Sequence, residues 1–382
     1  AGRYANNDLV TLGARYLYGD RSSVGLEASS GARGEGATLQ AEHNIGADRT
    51  VYGSYTWSTD RSERETLFNP RQNNGWTLGQ RSRITDRTRV FSESQSLRSG
   101  AGQESGLAHT FGVDFLPAPG WNLGVTVMDA QLEGSRGQVD RRAYSLSGGR
   151  TDPRVQWNSK LEYRHDSGAE QREQWVTTNR LAWRLDDDWR IALRANHART
   201  EDRLSAFNDT RLTELNLGFA WRPHDNTRNA AFGKYTYLYD LASSGQVSSH
   251  AGGSLYDQRS HVLALEGIHQ LDANLRVGAK VAMRHGEYRL GRGTGPWLDS
   301  RAVLTALQLR LGLGHEWDAL AEARRLDVAH SSERWGWLVG ADRRVGDNLK
   351  IGAGYNFTRF SDDLTDLQQD HKGWFLNIAG YY

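Results

Sequence analysis

The chain has 382 residues, 47 basic and 46 acidic side chains, a net charge of +1, and a mean hydropathy of −0.69. No run of about 18 nearly uncharged apolar residues exists, so a polytopic helical membrane protein is excluded. The balanced charge speaks against nucleic acid as a partner, and the absence of cysteine removes disulfide scaffolds, zinc–thiolate sites and cysteine nucleophiles.

The first residues, AGRYANNDLV, carry neither a basic nor an apolar signal region; 1–7 are read as a periplasmic lead-in. A strand is expected near 8–19, and SSVGLEAS at 22–29 either lengthens a loop or forms a further short strand. Hairpins follow at about 36–60, 74–98, 106–132, 138–166, 173–200, 210–242, 259–287, 301–328 and 334–360, with a last strand near 370–382. That makes about 20 strands, within a range of 18–22. An even count places both termini on one side of the sheet.

These expectations rest on a period of two. Val155, Trp157, Leu161 and Tyr163 alternate with Gln156, Asn158, Lys160, Glu162 and Arg164. Leu275, Val277, Ala279, Val281 and Met283 oppose Arg276, Gly278, Lys280 and Arg284, and Leu349 to Phe357 repeats the pattern. Successive strand side chains point to opposite faces, so each segment makes one apolar and one polar surface. The 42 glycines, 13 tryptophans and 15 tyrosines, with only 6 prolines, suit long uninterrupted strands. Segments of about 10–13 residues exceed the usual soluble strand and match a tilted crossing of a bilayer. Closing such a sheet on itself hides its backbone edges.

Short polar turns at 46–49, 85–87, 117–120, 151–153, 186–188, 223–226, 272–274 and 346–348 alternate with longer stretches at 61–73, 133–138, 166–173, 201–209, 243–257, 288–300 and 361–370. The fold class expected is therefore all-β: a closed antiparallel up-and-down transmembrane β-barrel, one domain over 1–382 without a separate plug, with short periplasmic turns and longer extracellular loops. Trp121, Trp189, Trp221 and Trp317 beside the short turns, and Tyr163, Tyr239 and Phe357 toward the loops, are expected at the membrane interfaces, with Tyr382 closing the chain.

The whole chain resembles Gram-negative outer-membrane β-barrels. The hairpins AEHNIGADRTVYGSY and LAWRLDDDWRIALRA, and the closing RRVGDNLKIGAGYNFTRFSDDL with KGWFLNIAGYY, also resemble the C-terminal barrel of very large multidomain bacterial surface proteins. The resemblance implies outer-membrane lipid and lipopolysaccharide as surroundings. It also implies barrel-insertion machinery acting on the C-terminal strand, and an attached or threaded surface polypeptide as a further candidate partner. The terminal strand ends in tyrosine where such proteins usually end in phenylalanine.

The polar faces supply a candidate pore lining: Arg154, Lys160, Glu162, Arg164, Arg190, Arg194, Glu214, Arg276, Lys280, Arg284, Arg310, Asp318, Glu322 and Arg324. Charges of both signs suit a water-filled pore for passive diffusion or export of polar solutes or polymer. The same charges also suit cross-strand pairs bracing the wall of a non-conducting anchor barrel. Either the loop 243–257 or the loop 61–73 is a candidate to fold inward as a constriction. His109, His165, His197, His261 and His285 near stripe ends read as interfacial rings rather than metal ligands. Asp362, Asp363 and Asp366 lack calcium-loop spacing and read as a solvated acidic loop, and Gly291–Gly295 lacks the lysine and helix of a phosphate loop. An outer-membrane hydrolase is the competing class, but no GxSxG elbow stands out. No enzyme activity, cofactor or metal is expected.

Overall fold

A computed structural model describes residues 9–31, 34–59, 73–99, 105–134, 137–206, 209–226, 228–241, 256–290, 295–314, 316–329, 331, 333–346, 348–360, 364 and 372–380. Among the described residues, twenty-one strands follow one another without an α-helix between them. The first eight are β1 (Leu9–Tyr18), β2 (Ser22–Gly31), β3 (Gly34–Ile45), β4 (Arg49–Ser58), β5 (Asn73–Thr85), β6 (Thr88–Ser99), β7 (Ser105–Phe115) and β8 (Trp121–Gly134). Next come β9 (Gly137–Thr151), β10 (Val155–Gly168), β11 (Arg172–Arg184), β12 (Trp189–Asp202), β13 (Thr210–Trp221), β14 (Asn229–Leu241) and β15 (Tyr256–Gln270). The last are β16 (Leu275–Leu290), β17 (Trp297–Gly314), β18 (Trp317–Val328), β19 (Arg334–Val345), β20 (Leu349–Asn356) and β21 (Gly373–Gly380).

Each strand pairs antiparallel with the next, from β1–β2 to β20–β21. The expected up-and-down meander is borne out, and the described residues form 21 strands, within the expected range of 18–22 and one more than its central value. The difference is Ser22–Gly31, which is a full strand of 10 residues registered against both β1 and β3. An odd number of alternating strands makes β1 and β21 run in the same direction. Leu9 therefore starts on the rim of the long connections and Gly380 ends on the rim of the short ones, which corrects the placement of both ends on one side. Residues 1–7 lie outside the described residues.

The short turns lie where expected, and their chemistry explains them. Gly46 and Gly346 adopt φ of 70° and 66°, a left-handed conformation that L side chains resist. Asp152 Oδ1 accepts the backbone N–H groups of Arg154 and Val155 at 2.9 and 2.8 Å, and Asp272 does the same for Asn274 and Leu275. On the other rim the expected long stretches at 133–138 and 166–173 shrink to connections of a few residues, because β8–β11 extend almost to the ends of their hairpins.

The two faces separate as the period of two requires. Leu193 stands in register with Leu181 and Leu217, and Leu265 with Val281. Along β17, Val303, Leu307, Leu309, Leu311 and Leu313 remain 40–58% exposed. So much apolar surface facing outward calls for lipid, not water. Aromatic rings cover glycines opposite them on neighbouring strands: a Cβ at Gly79 would overlap Tyr52, and one at Gly112 would overlap Phe91. The rings fill the gaps that glycine leaves in the sheet surface.

Candidate functional site

The face opposite the apolar band forms a polar wall, and the sequence-derived candidates other than Arg154 fall on its parity at the following positions. On β10, Glu162 receives Lys160 Nζ at 2.8 Å and Arg164 Nη2 at 2.9 Å. On β12, Arg190 and Arg194 share a face, and Arg194 lies 3.5 Å from Glu214 on β13. Glu214 also accepts Asn196 and Asn216 at 3.1 and 2.6 Å. Arg154 sits in the β9–β10 turn, outside a strand.

Toward the C-terminus, Arg276 stands directly opposite Arg310, and Lys280 opposite Glu266. Arg310 reaches Asp342 at 3.3 Å, and Lys350 bridges Asp318 at 2.6 Å and Asp342 at 3.5 Å. Glu322 pairs with Arg324 and accepts Gln308 at 2.8 Å. Asp342 and Lys350, absent from the sequence-derived set, link β17, β18, β19 and β20 into one network. Their signal was present: both fall on the polar parity of their strands. Gly352 leaves room for the Asp342 carboxylate, since a Cβ there would overlap it.

One part of the wall departs from the polar pattern. Near the long-connection rim, Val262, Ala282, Ala302, Leu304 and Leu326 form a buried apolar cluster on β15 to β18. Phe360 and Leu364, from the connection after β20, complete it, each 1% exposed. Arg284 Nη1 donates to the Leu364 carbonyl oxygen at 2.7 Å, and Thr358 is fully buried. β15 is five strands from β20, about 24 Å along a flat sheet at the usual spacing. Phe360 and Leu364 join side chains on the parity that carries the polar wall, so both pack on the inward face of the sheet. Of the two loops considered as constrictions, 243–255 and 61–72 lie outside the described residues; 256 and 257 begin β15 and 73 begins β5. Among the described residues, Phe360 and Leu364 of the β20–β21 connection pack on the inward face. The signal for this in the sequence is the loss of polarity at Ala302, Leu304 and Ala306, on the inward parity of β17. The acidic positions 362, 363 and 366, and residues 291–294, lie outside the described residues.

The aromatic candidates stand on the outward parity. Trp121 meets Trp157 edge-on at 6.3 Å, and Trp189 contacts Phe219 and Trp221 at 5.8 and 6.3 Å, all near the short turns. Arg343 lies over Trp317 at 5.6 Å. Toward the other rim, Tyr163 packs on Trp175 at 4.7 Å, Arg211 lies over Tyr239 at 5.3 Å, and Phe357 packs on Tyr355 at 4.6 Å. Tyr382 lies outside the described residues. Histidines on this face bond locally: His109 to Ser94 at 2.9 Å, His197 to Thr213 at 2.8 Å and His261 to Tyr235 at 2.7 Å.

No protein-family model and no curated protein matches the chain. Among solved structures, the ferric enterobactin receptor of Pseudomonas aeruginosa is similar in fold. Its R480A mutant with enterobactin aligns over 98% of this chain and 78% of its own, at a TM-score of 0.50 and 10% identity. The Q482A mutant gives the same coverage and TM-score at 11% identity. The siderophore receptor PirA of the same organism aligns at a TM-score of 0.47 and 10% identity, over 98% and 77% of the two chains. The fold is that of a bacterial outer-membrane β-barrel.

Proposed function

We propose that this chain is an outer-membrane channel that passes polar solutes through a charged lumen. The observation that carries the reading is the division of the sheet: aliphatic side chains outward, and a wall of arginine, lysine, carboxylate and amide groups inward, interrupted by the apolar cluster of β15 to β18. Such a wall replaces the lost hydration of a polar solute, while the apolar band replaces water with lipid. Some of the charges pair within a strand, as Glu162 does with Lys160 and Arg164, and others across strands, as Lys350 does with Asp318 and Asp342, so part of the wall is braced and part is left to meet a solute. The strap of Phe360 and Leu364 narrows the lumen on the β15–β18 side. A transport role accords with the fold likeness to receptors for a ferric siderophore, although nothing at 10% identity carries their ligand to this chain.

Planar-bilayer recording of the purified chain tests the proposal. Discrete ion-conducting steps are expected. Insertion of folded barrels without current would overturn the channel and leave the alternative role, a membrane anchor for a surface polypeptide.

A further inference from the structure

The wall of β10 to β14 has a feature that bracing does not explain. Three small residues, Ala182, Ala192 and Gly218, stand side by side in register on β11, β12 and β13. Gln156 continues this row on β10 and Lys234 on β14. One rung toward the long connections, Arg180 stands directly opposite Arg194; one rung toward the short turns, Arg184 stands directly opposite Arg190. Two rungs span about 13 Å, so two arginine pairs bracket a dent floored by small side chains. An open cavity of about 870 Å³ covers the dent and its Arg180–Arg194 side, with Asn158, Asn216 and Lys234 also in its lining, and the Arg184–Arg190 pair stands one rung beyond Ala182 and Ala192.

Like charges directly opposite one another on a sheet are destabilising unless something neutralises them. The neutralisation supplied by the wall is partial. Glu214 takes Arg194, and Asp187 takes Arg184. The other acids of the adjoining turn are engaged by backbone: Asp186 Oδ1 accepts the N–H groups of Asp188 and Trp189, and Asp188 Oδ1 accepts that of His224. Among the described residues no carboxylate forms an ion pair with Arg180, Arg190 or Lys234. Elsewhere on the same wall arginines and lysines do find carboxylates, as Lys160, Arg164, Arg310 and Lys350 show.

We infer that this recess is a binding site for a solute bearing two or more anionic oxygens, carboxylate or phosphate. The guanidinium forks of Arg180 and Arg194 grip one anionic group, Lys234 and Arg190 a second, and Gln156, Asn158 and Asn216 supply neutral polar contacts. The small floor lets the solute lie against the strand backbone. This deepens the channel reading, on which it rests for its physiological meaning: the recess selects anions at the short-turn half of the lumen.

The test is made on the whole chain in detergent micelles, by isothermal titration with inorganic pyrophosphate and, in a separate arm, succinate. Saturable binding that weakens with salt is expected of one or both, and the arm that binds names the source. The variant R180Q/R194Q/K234Q is expected to weaken binding at least about tenfold. An equal loss of charge on another part of the wall, R276Q/K280Q/R344Q, is expected to weaken it less than about threefold. R180K is expected to retain binding better than R180Q, and if the triple variant fails to fold, K234Q alone carries the comparison with R276Q. Equal weakening in the two triple variants, or no heat of binding with either anion, would overturn the site. Binding is read without current, so a silent barrel that still binds pyrophosphate sinks the channel and not the recess. A conducting barrel that binds neither anion sinks the recess and not the channel.

Discussion

Phe360→Ala tests the inward strap most directly. The Phe360 side chain is 1% exposed and packs with Leu364 against Ala302, Leu304 and Leu326. Truncating a buried phenylalanine costs about 3 kcal/mol. If that loss falls on the strap alone, its open-to-closed ratio rises by about two orders of magnitude. The remaining hold is Leu364, whose carbonyl accepts Arg284 at 2.7 Å. The chain has no cysteine, so Ala302→Cys, placed beneath the strap at a position 2% exposed, reports opening without background. Reaction with a water-soluble maleimide follows the open fraction when closing is fast. It is expected to accelerate at least about tenfold when Phe360→Ala is added. Thr126→Cys, on the same wall parity of β8 and far from the strap, is expected to react equally in both backgrounds. If Ala302→Cys reacts equally fast with and without Phe360, the strap does not cover this wall and the inward packing is wrong.

Leu263 lies at the middle of β15 on the outward face and is 47% exposed. Leu263→Arg is expected to cost about 2–4 kcal/mol in lipid vesicles by urea unfolding, the penalty for a cation at the bilayer midplane. Asp342→Ala removes the carboxylate shared by Arg310 and Lys350. Lys350 keeps Asp318, so the same assay should read about 3 kcal/mol, the low end for breaking a desolvated ionic network. Asp152 holds the β9–β10 turn, and the N–H of Val155, then that of Arg154, lowers its pKa from the ordinary carboxylate value. Because the folded state favours the charged form, this contribution is present above the unfolded pKa and fades as pH falls through the lower folded value. Asp152→Asn is expected to flatten that part of the acid limb of stability, measured by heat-dependent gel migration across pH; an unchanged limb would refute the assignment.

Strand identity, face and turn position were legible because they are local. Side-chain parity is a property of the backbone, so Lys160, Glu162, Arg194 and Arg310 could be placed on one face from spacing alone. Turns needed only Gly46, Asp152 or Asp272 at the right offset. The strand Ser22–Gly31 was half-visible: Val24 and Leu26 alternate, but serine and glycine dilute the stripe, and only pairing with both neighbours makes it a strand.

Pairs across strands were a different matter. That Arg180 meets Arg194, and that Asp342 joins Arg310 to Lys350, depends on register, which hairpin length and turn geometry set together. The strap required more still, because Phe360 and Val262 are distant in the chain and join one cluster only once β15 to β20 are assembled. The amino-acid sequence by itself determined a meander with one greasy and one charged face, since alternation acts over two residues. Which charges neutralise one another, which stand unneutralised around the Ala182 dent, and which apolar side chains turn inward under Leu364 were decided by tertiary structure alone. Those contacts depend on distances between strands, and a pattern along one strand carries no such distances.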